Sequence, residues 1–78
     1  MDNWQETQSG LVKVFTFINF VKAIDFVNEI AIIAETENHH PDILIHSYKQ
    51  VKITLITHDE DQITCKDYAL AKLIDAIK

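Results

Sequence analysis

The segment Val51-Lys52-Ile53-Thr54-Leu55-Ile56-Thr57-His58 decides the fold, because its residues alternate with the period of a half-buried β-strand. One face of this predicted strand carries Val51, Ile53, Leu55 and Thr57, and the other carries Lys52, Thr54, Ile56 and His58. A strand with one apolar face needs a second layer packed on that face. The flanking segments must therefore supply that layer.

A helix is predicted on the C-terminal side of this strand, after a polar loop at 59–62. Thr64 is expected to be its N-cap, and Asp67 stands three residues on, as in a capping box. Cys65 falls at the first helical position. The apolar positions that we expect this helix to bury are Leu70, Leu73, Ile74 and Ile77.

A longer helix and three further strands are predicted on the N-terminal side. Asn19 can cap a helix that starts at Phe20 and stops just before Pro41, because proline disfavours the α conformation in the residue ahead of it. The expected buried stripe is Phe20, Ile24, Val27, Ala31 and Ala34, widened by Ala23, Ile30 and Ile33. Strands are predicted over 4–7, 11–17 and 43–45. The order β-β-α-β-β-α predicts an α+β fold, a four-stranded antiparallel sheet with both helices packed on one face.

Length and charge limit the possible functions. A chain of 78 residues allows one domain. The net charge of −5 and the lack of arginine argue against a nucleic-acid surface, and no apolar run approaches the roughly 20 residues of a membrane span. One cysteine excludes an internal disulfide, and the acidic N-terminus does not look like a signal peptide, so a cytoplasmic location is expected. A domain this small gains stability by self-association, which predicts a homo-oligomer.

His39 and His40 lie at or just past the end of the longer helix, where the helix dipole favours an imidazolium. Imidazoles titrate near neutral pH, so with His58 they indicate acid–base chemistry. Other interpretations stay open. A metal site is possible, although adjacent histidines rarely chelate one ion, and Cys65 could be a nucleophile activated by its helix dipole. The plain alternatives are a histidine helix cap, a capping-box Asp67, a solvated Glu35 and an exposed strand-end His58.

The spacing of these residues forms a longer pattern. Three residues separate Glu35 from His39-His40-Pro41, and six separate Pro41 from Tyr48. Nine residues then separate Tyr48 from His58, and eight separate His58 from Asp67. This pattern resembles the signature of the pterin-4a-carbinolamine dehydratases, and the resemblance covers essentially the entire chain. It implies a single domain over 1–78 that lacks the N-terminal helix carried by longer relatives.

The resemblance also implies a function. Family members form dimers or dimers of dimers, and they dehydrate a 4a-hydroxytetrahydropterin without a metal or an organic cofactor. His39 and His58 are then expected to be general acids and His40 to hold the substrate, while Glu35 orients an imidazole or acts as a base. Asp67 is expected to orient His58. The predicted pterin contacts are Asn38, Pro41 and Thr57. Two alternatives are a non-catalytic dimerising interaction or coactivator module, and a small metal-binding protein.

Overall fold

The computed structural model describes residues 3–77, and its elements follow the predicted order β-β-α-β-β-α. They are β1 (Gln5–Thr7), β2 (Gly10–Thr16), α1 (Phe20–Glu37), β3 (Asp42–His46), β4 (Gln50–Leu55) and α2 (Cys65–Ile77). All strand pairs are antiparallel, and the sheet order is β1-β2-β4-β3. The predicted α+β class is confirmed.

Strand β4 is central, and its alternation sets the core. It pairs with β2 on one side and with β3 on the other. Val51, Ile53 and Leu55 are fully buried beneath the helices. The strand ends at Leu55, three residues earlier than predicted, because the chain leaves the sheet and closes a tight loop through the Thr57–Gln62 bridge. This exit places Thr57 and His58 in a loop at the edge of the core.

Gly10 has to be a glycine, because β2 enters the sheet there with φ of +130°. A Cβ atom on Gly10 would lie 2.2 Å from the carbonyl oxygen of Leu55 on the neighbouring strand. Only a residue without a side chain tolerates both this backbone conformation and this close approach. The connection between β1 and β2 therefore ends on a position where any side chain would push β2 away from β4.

Helix α1 begins where the sequence predicts, since the Asn19 side chain accepts a hydrogen bond from the Lys22 backbone N–H at 2.9 Å. Its buried face differs from the predicted stripe. The residues that reach the core are Ala23, Phe26, Ile30 and Ala34, whereas Phe20 is 51% exposed. The prediction is confirmed for Ala23, Ile30 and Ala34 and wrong for Phe20. It also omitted Phe26, whose ring centroid lies 4.8 Å from that of Phe15 and 4.9 Å from that of Phe17. Because these aromatic contacts hold Phe26 in the core, Phe20 lies outside the buried face of the helix.

Helix α2 also turns a slightly different face to the sheet. Leu70, Ala71 and Ile74 are buried, while Leu73, predicted to be buried, is 40% exposed. The small Ala71 is therefore buried where Leu73 was expected, and α2 also contacts α1. The helix is tied to the start of the chain by Asp75, which accepts hydrogen bonds from the indole of Trp4 and the ammonium of Lys13.

Several large apolar side chains remain on the surface of residues 3–77. Ile18, Val21 and Ile32 lie on or beside α1 and are 83%, 64% and 69% exposed. Neither helix in this range combines the length and the hydropathy that crossing a membrane requires.

Candidate active site

The C-terminus of α1 aims His39 toward the second helix. Asn38 adopts the left-handed conformation, with φ of 53° and ψ of 41°, and ends the helix. The Asn38 N–H then bonds to the Glu35 carbonyl and the His39 N–H to the Ala34 carbonyl, which is the Schellman arrangement. Asparagine tolerates this conformation better than most residues. The reversal of the chain at Asn38 is what turns His39 back toward α2.

His39 pairs with Asp67, the buried carboxylate in the first turn of α2. The His39 Nε2 atom lies 2.6 Å from Asp67 Oδ1, and the Asp67 side chain is fully buried. Asp67 Oδ2 accepts two further hydrogen bonds, from the Thr57 hydroxyl at 3.0 Å and from the Thr64 N–H at 2.9 Å. A buried carboxylate is stable only with such partners, and the positive end of the α2 dipole adds to them. The arrangement holds a charged carboxylate against one nitrogen of His39.

The predicted partner of Asp67 was wrong, because the carboxylate holds His39 and not His58. Within residues 3–77, no hydrogen bond joins Asp67 to His58, which is exposed in the loop after β4. The reason is the early end of β4. The chain turns at Thr57, so it is the hydroxyl of Thr57 that points at Asp67.

Glu35 contacts an imidazole, as predicted for it, and that imidazole belongs to His40. The His40 Nε2 atom lies 2.5 Å from Glu35 Oε2, and both side chains are more than half exposed. An ion pair in water contributes at most about 1 kcal/mol. This pair therefore steers the His40 ring more than it stabilises the fold.

The three histidines 39, 40 and 58 line a single open cavity of about 270 Å³. Of the predicted pterin contacts, Asn38 and Thr57 lie in its wall, while Pro41 does not. Glu35 and Asp67 do not line this cavity, and each contacts one of its histidines, Glu35 contacting His40 and Asp67 contacting His39. The prediction missed three lining residues, Ile56, Asp59 and Lys66. Each of the three is next in sequence to a predicted site residue, Thr57, His58 or Asp67. That adjacency could have been used to predict them.

A second cavity, of about 340 Å³, adjoins the first and shares Asn38, His39 and Lys66 with it. Cys65 lines this second cavity as the exposed first residue of α2. Across residues 3–77, no group of three or more His, Cys, Asp or Glu side chains is arranged to hold a metal ion.

Comparison with known proteins gives a consistent result. The family model described as pterin 4 alpha carbinolamine dehydratase matches residues 1–77. A protein of Prochlorococcus marinus named for pterin-4-alpha-carbinolamine dehydratase is 49% identical over 78 residues, which are 100% of this chain and 80% of that protein. A protein of Sulfolobus acidocaldarius with the same name is 38% identical over 78 residues, covering 100% of this chain and 85% of that protein.

Two solved structures share the fold. One is a transcriptional coactivator/pterin dehydratase from Brucella melitensis, with a TM-score of 0.91 and 33% identity over 99% of this chain and 83% of that chain. The other is a pterin dehydratase-like protein described as a RuBisCO assembly factor in the alpha-carboxysome. Its TM-score is 0.78, with 26% identity over 95% of this chain and 87% of that chain.

Proposed function

Because the chain belongs to the pterin 4 alpha carbinolamine dehydratase family, we propose that it is a hydro-lyase that converts a 4a-hydroxytetrahydropterin to the quinonoid dihydropterin. The observation that carries this proposal is the cavity of about 270 Å³ lined by His39, His40 and His58. Its volume lies just below the roughly 300–1,000 Å³ range of sites for drug-sized ligands, which suits a compact bicyclic ring.

The reaction needs two proton movements, and imidazoles are suited to both. The bond between C4a and the hydroxyl oxygen breaks, and that oxygen takes a proton from a general acid and leaves as water. The electron pair on N5 forms the C4a=N5 double bond, and the proton on N5 passes to a base. The net change is the loss of one water molecule. A well-placed acid or base accelerates such a step by about 10²–10⁴-fold.

In this proposal His39 is the general acid whose orientation is best supported. Its Nε2 atom faces Asp67, so Nε2 keeps its proton and Nδ1 is the nitrogen free to exchange one with the ligand. His58 is exposed in the cavity wall and takes the second acid–base role.

The remaining predicted residues are given supporting roles. His40, steered by Glu35, holds the substrate beside the two reacting imidazoles. Backbone groups of Asn38 and Thr57 contact the amide-like edge of the pterin, since both residues lie in the cavity wall. Pro41 lies outside the cavity wall, and its predicted direct contact with the pterin stays a prediction.

The test is the dehydration of chemically generated 4a-hydroxytetrahydropterin, followed by absorbance. The wild-type chain should accelerate the reaction over buffer, and His39→Ala should lower kcat by about 10²-fold or more. His46→Ala is the matched control, because His46 lies at the end of β3 and contacts Ser47 rather than the cavity. A wild-type rate equal to that of buffer would remove the proposed function.

A second candidate, a non-catalytic interaction or coactivator module, is favoured by the exposed apolar side chains of α1. Ile18, just before α1, and Val21 and Ile32, on it, are all more than half exposed, and a partner that covered them would bury apolar surface. The names of the two solved structures also include coactivator and assembly roles. Partner binding by a chain that gives no dehydration above buffer would favour this candidate.

The same apolar surface supports the proposal that the chain self-associates as a homodimer or homotetramer. The edge strand β3 separately offers backbone hydrogen-bonding groups that a second copy could pair with. Light scattering coupled to size-exclusion chromatography should give a mass that is a multiple of the 9.0 kDa chain. A mass of one chain at every concentration would contradict it. The cytoplasmic location stays a prediction.

A further inference from the structure

A chain of hydrogen bonds runs from the start of α2 to His39 through two threonines. The Thr64 hydroxyl oxygen accepts from the Lys66 N–H at 3.3 Å and lies 2.6 Å from the Thr57 hydroxyl oxygen. Thr57 donates to Asp67 Oδ2 at 3.0 Å, and Asp67 Oδ1 faces His39 Nε2 at 2.6 Å. Thr57 and Asp67 are both buried, so water does not compete with these contacts.

Counting protons fixes the direction of every bond in this chain. An ionised carboxylate only accepts, so Asp67 must receive a proton from each of its partners. The single hydroxyl proton of Thr57 therefore points at Asp67. The contact between the two threonine hydroxyls then has to use the proton of Thr64. All of these hydrogen bonds are donated in the direction of Asp67. His39 also donates to Asp67, and therefore keeps its proton on Nε2.

We propose that Thr64 is a positioning residue, whose hydroxyl acts through Thr57 and Asp67 to hold His39 in the tautomer with a free Nδ1. Thr64 polarises the Thr57 hydroxyl, which strengthens the bond that Thr57 donates to Asp67. The carboxylate is then fixed in the one orientation that faces His39 Nε2. The effect of Thr64 on the reaction rate rests on the proposed dehydratase function. Its effect on the tautomer of His39 does not depend on that function.

Thr64 also caps α2, so the experiment has to separate the two roles. Thr64→Val keeps the shape and removes the hydroxyl, while Thr64→Ser keeps the hydroxyl. The backbone N–H of residue 64 still reaches Asp67 in both variants. Asn19→Ala is the matched control, because it removes the cap of α1 far along the chain from this network. Thr64→Val and Asn19→Ala should each lower Tm by about 4–8 °C.

The decisive readout is the tautomer of His39, measured in the chain without ligand by proton–nitrogen correlation NMR of the imidazole. The wild type and Thr64→Ser should show His39 protonated on Nε2, and so should Asn19→Ala. Thr64→Val should show a mixture of the two tautomers. In the dehydration assay, Thr64→Val should lower kcat by about fivefold with KM unchanged, the factor that corresponds to one neutral hydrogen bond. It should also shift the acid limb of the pH–rate profile.

The possible results separate the two claims. If Thr64→Val has a lower Tm but keeps the wild-type His39 tautomer and pH–rate profile, Thr64 is only a helix cap and the proposal is overturned. If the tautomers mix in Thr64→Val but the wild type dehydrates no pterin, the positioning role stands and the proposed function falls. Wild-type behaviour restored by Thr64→Ser in both measurements supports the proposal.

Discussion

Asp67 has two roles that the sequence presents as one. Its spacing from Thr64 marks it as a capping-box residue, and the structure confirms that contact at 2.9 Å. Its second oxygen faces His39 across 28 positions of sequence, and the side chain is fully buried. Capping a helix alone does not require a carboxylate to contact an imidazole. Burial together with three hydrogen-bonding partners makes Asp67 the group that sets the orientation of His39.

Replacing Asp67 by asparagine should therefore affect the reaction more than the fold. The amide can still accept from Thr57 and Thr64, but its NH₂ group would face His39 Nε2 and force the proton onto Nδ1. We expect Asp67→Asn to lower kcat for dehydration by about 10²-fold. Asp75→Asn is the control, because Asp75 binds Trp4 and Lys13 away from the cavity. Equal rates for Asp67→Asn and the wild type would contradict this role.

At the scale of elements, the aromatic residues decide which face of α1 is buried. The ring of Phe26 packs against Phe15 and Phe17, while Phe20 is 51% exposed one helical turn and a half earlier. Phe26→Ala should lower the free energy of unfolding by about 3–5 kcal/mol, measured by urea denaturation. Phe20→Ala should lower the free energy of unfolding by about 1 kcal/mol or less. Phe26→Leu removes less of the side chain and can be measured in the same way if Phe26→Ala does not fold. Equal losses at Phe26 and Phe20 would contradict the observed face.

The contact between β1 and α2 depends on pH, because the Tyr68 hydroxyl donates a hydrogen bond to Glu6. This bond, then burial and the charges of Glu6 and Asp67, raise the pKa of Tyr68 above 10.0. A raised pKa means that the folded chain favours neutral tyrosine. The stabilisation is therefore complete below the unfolded pKa of about 10 and is lost as pH rises through the folded pKa.

Tyr68→Phe should remove this pH dependence. Below pH about 10 the variant should be slightly less stable than the wild type, and the difference should shrink at higher pH. Urea denaturation at neutral and alkaline pH measures it. Glu6→Gln tests the cause, because it removes the charge that disfavours ionisation of Tyr68 while leaving a hydrogen-bond acceptor. A difference between Tyr68→Phe and the wild type that grows above pH 10 would contradict the sign.

Local patterns predicted most of the elements but not how their ends meet. The Asn19 cap and the Thr64–Asp67 capping box are short-range features, and both were found as predicted. The alternation of β4 is also short-range, and it holds up to Leu55, three residues short of the predicted end. The partner of Asp67 depends on how the end of α1 packs against the start of α2. The family resemblance led us to expect His58, nine positions away, as the partner, whereas the carboxylate faces His39, 28 positions away. No local rule carries that information.

At the scale of the whole molecule, the site forms where three chain segments meet. The end of α1 supplies Asn38, His39 and His40, the loop after β4 supplies Thr57 and His58, and the start of α2 supplies the residues behind them. Each segment is held by a different device: a Schellman turn, the Thr57–Gln62 bridge and a capping box. We therefore expect the site to be lost only with the fold, in a single cooperative transition.

The convergence of three histidines on one ligand cavity is tested most directly by titrating the wild-type chain with a stable dihydropterin, and recording the imidazole NMR signals of all four histidines. His39, His40 and His58 should shift together and saturate at one ligand concentration. His46, outside the cavity, should not move. Saturating shifts at His46, or at only one of the other three, would contradict the account.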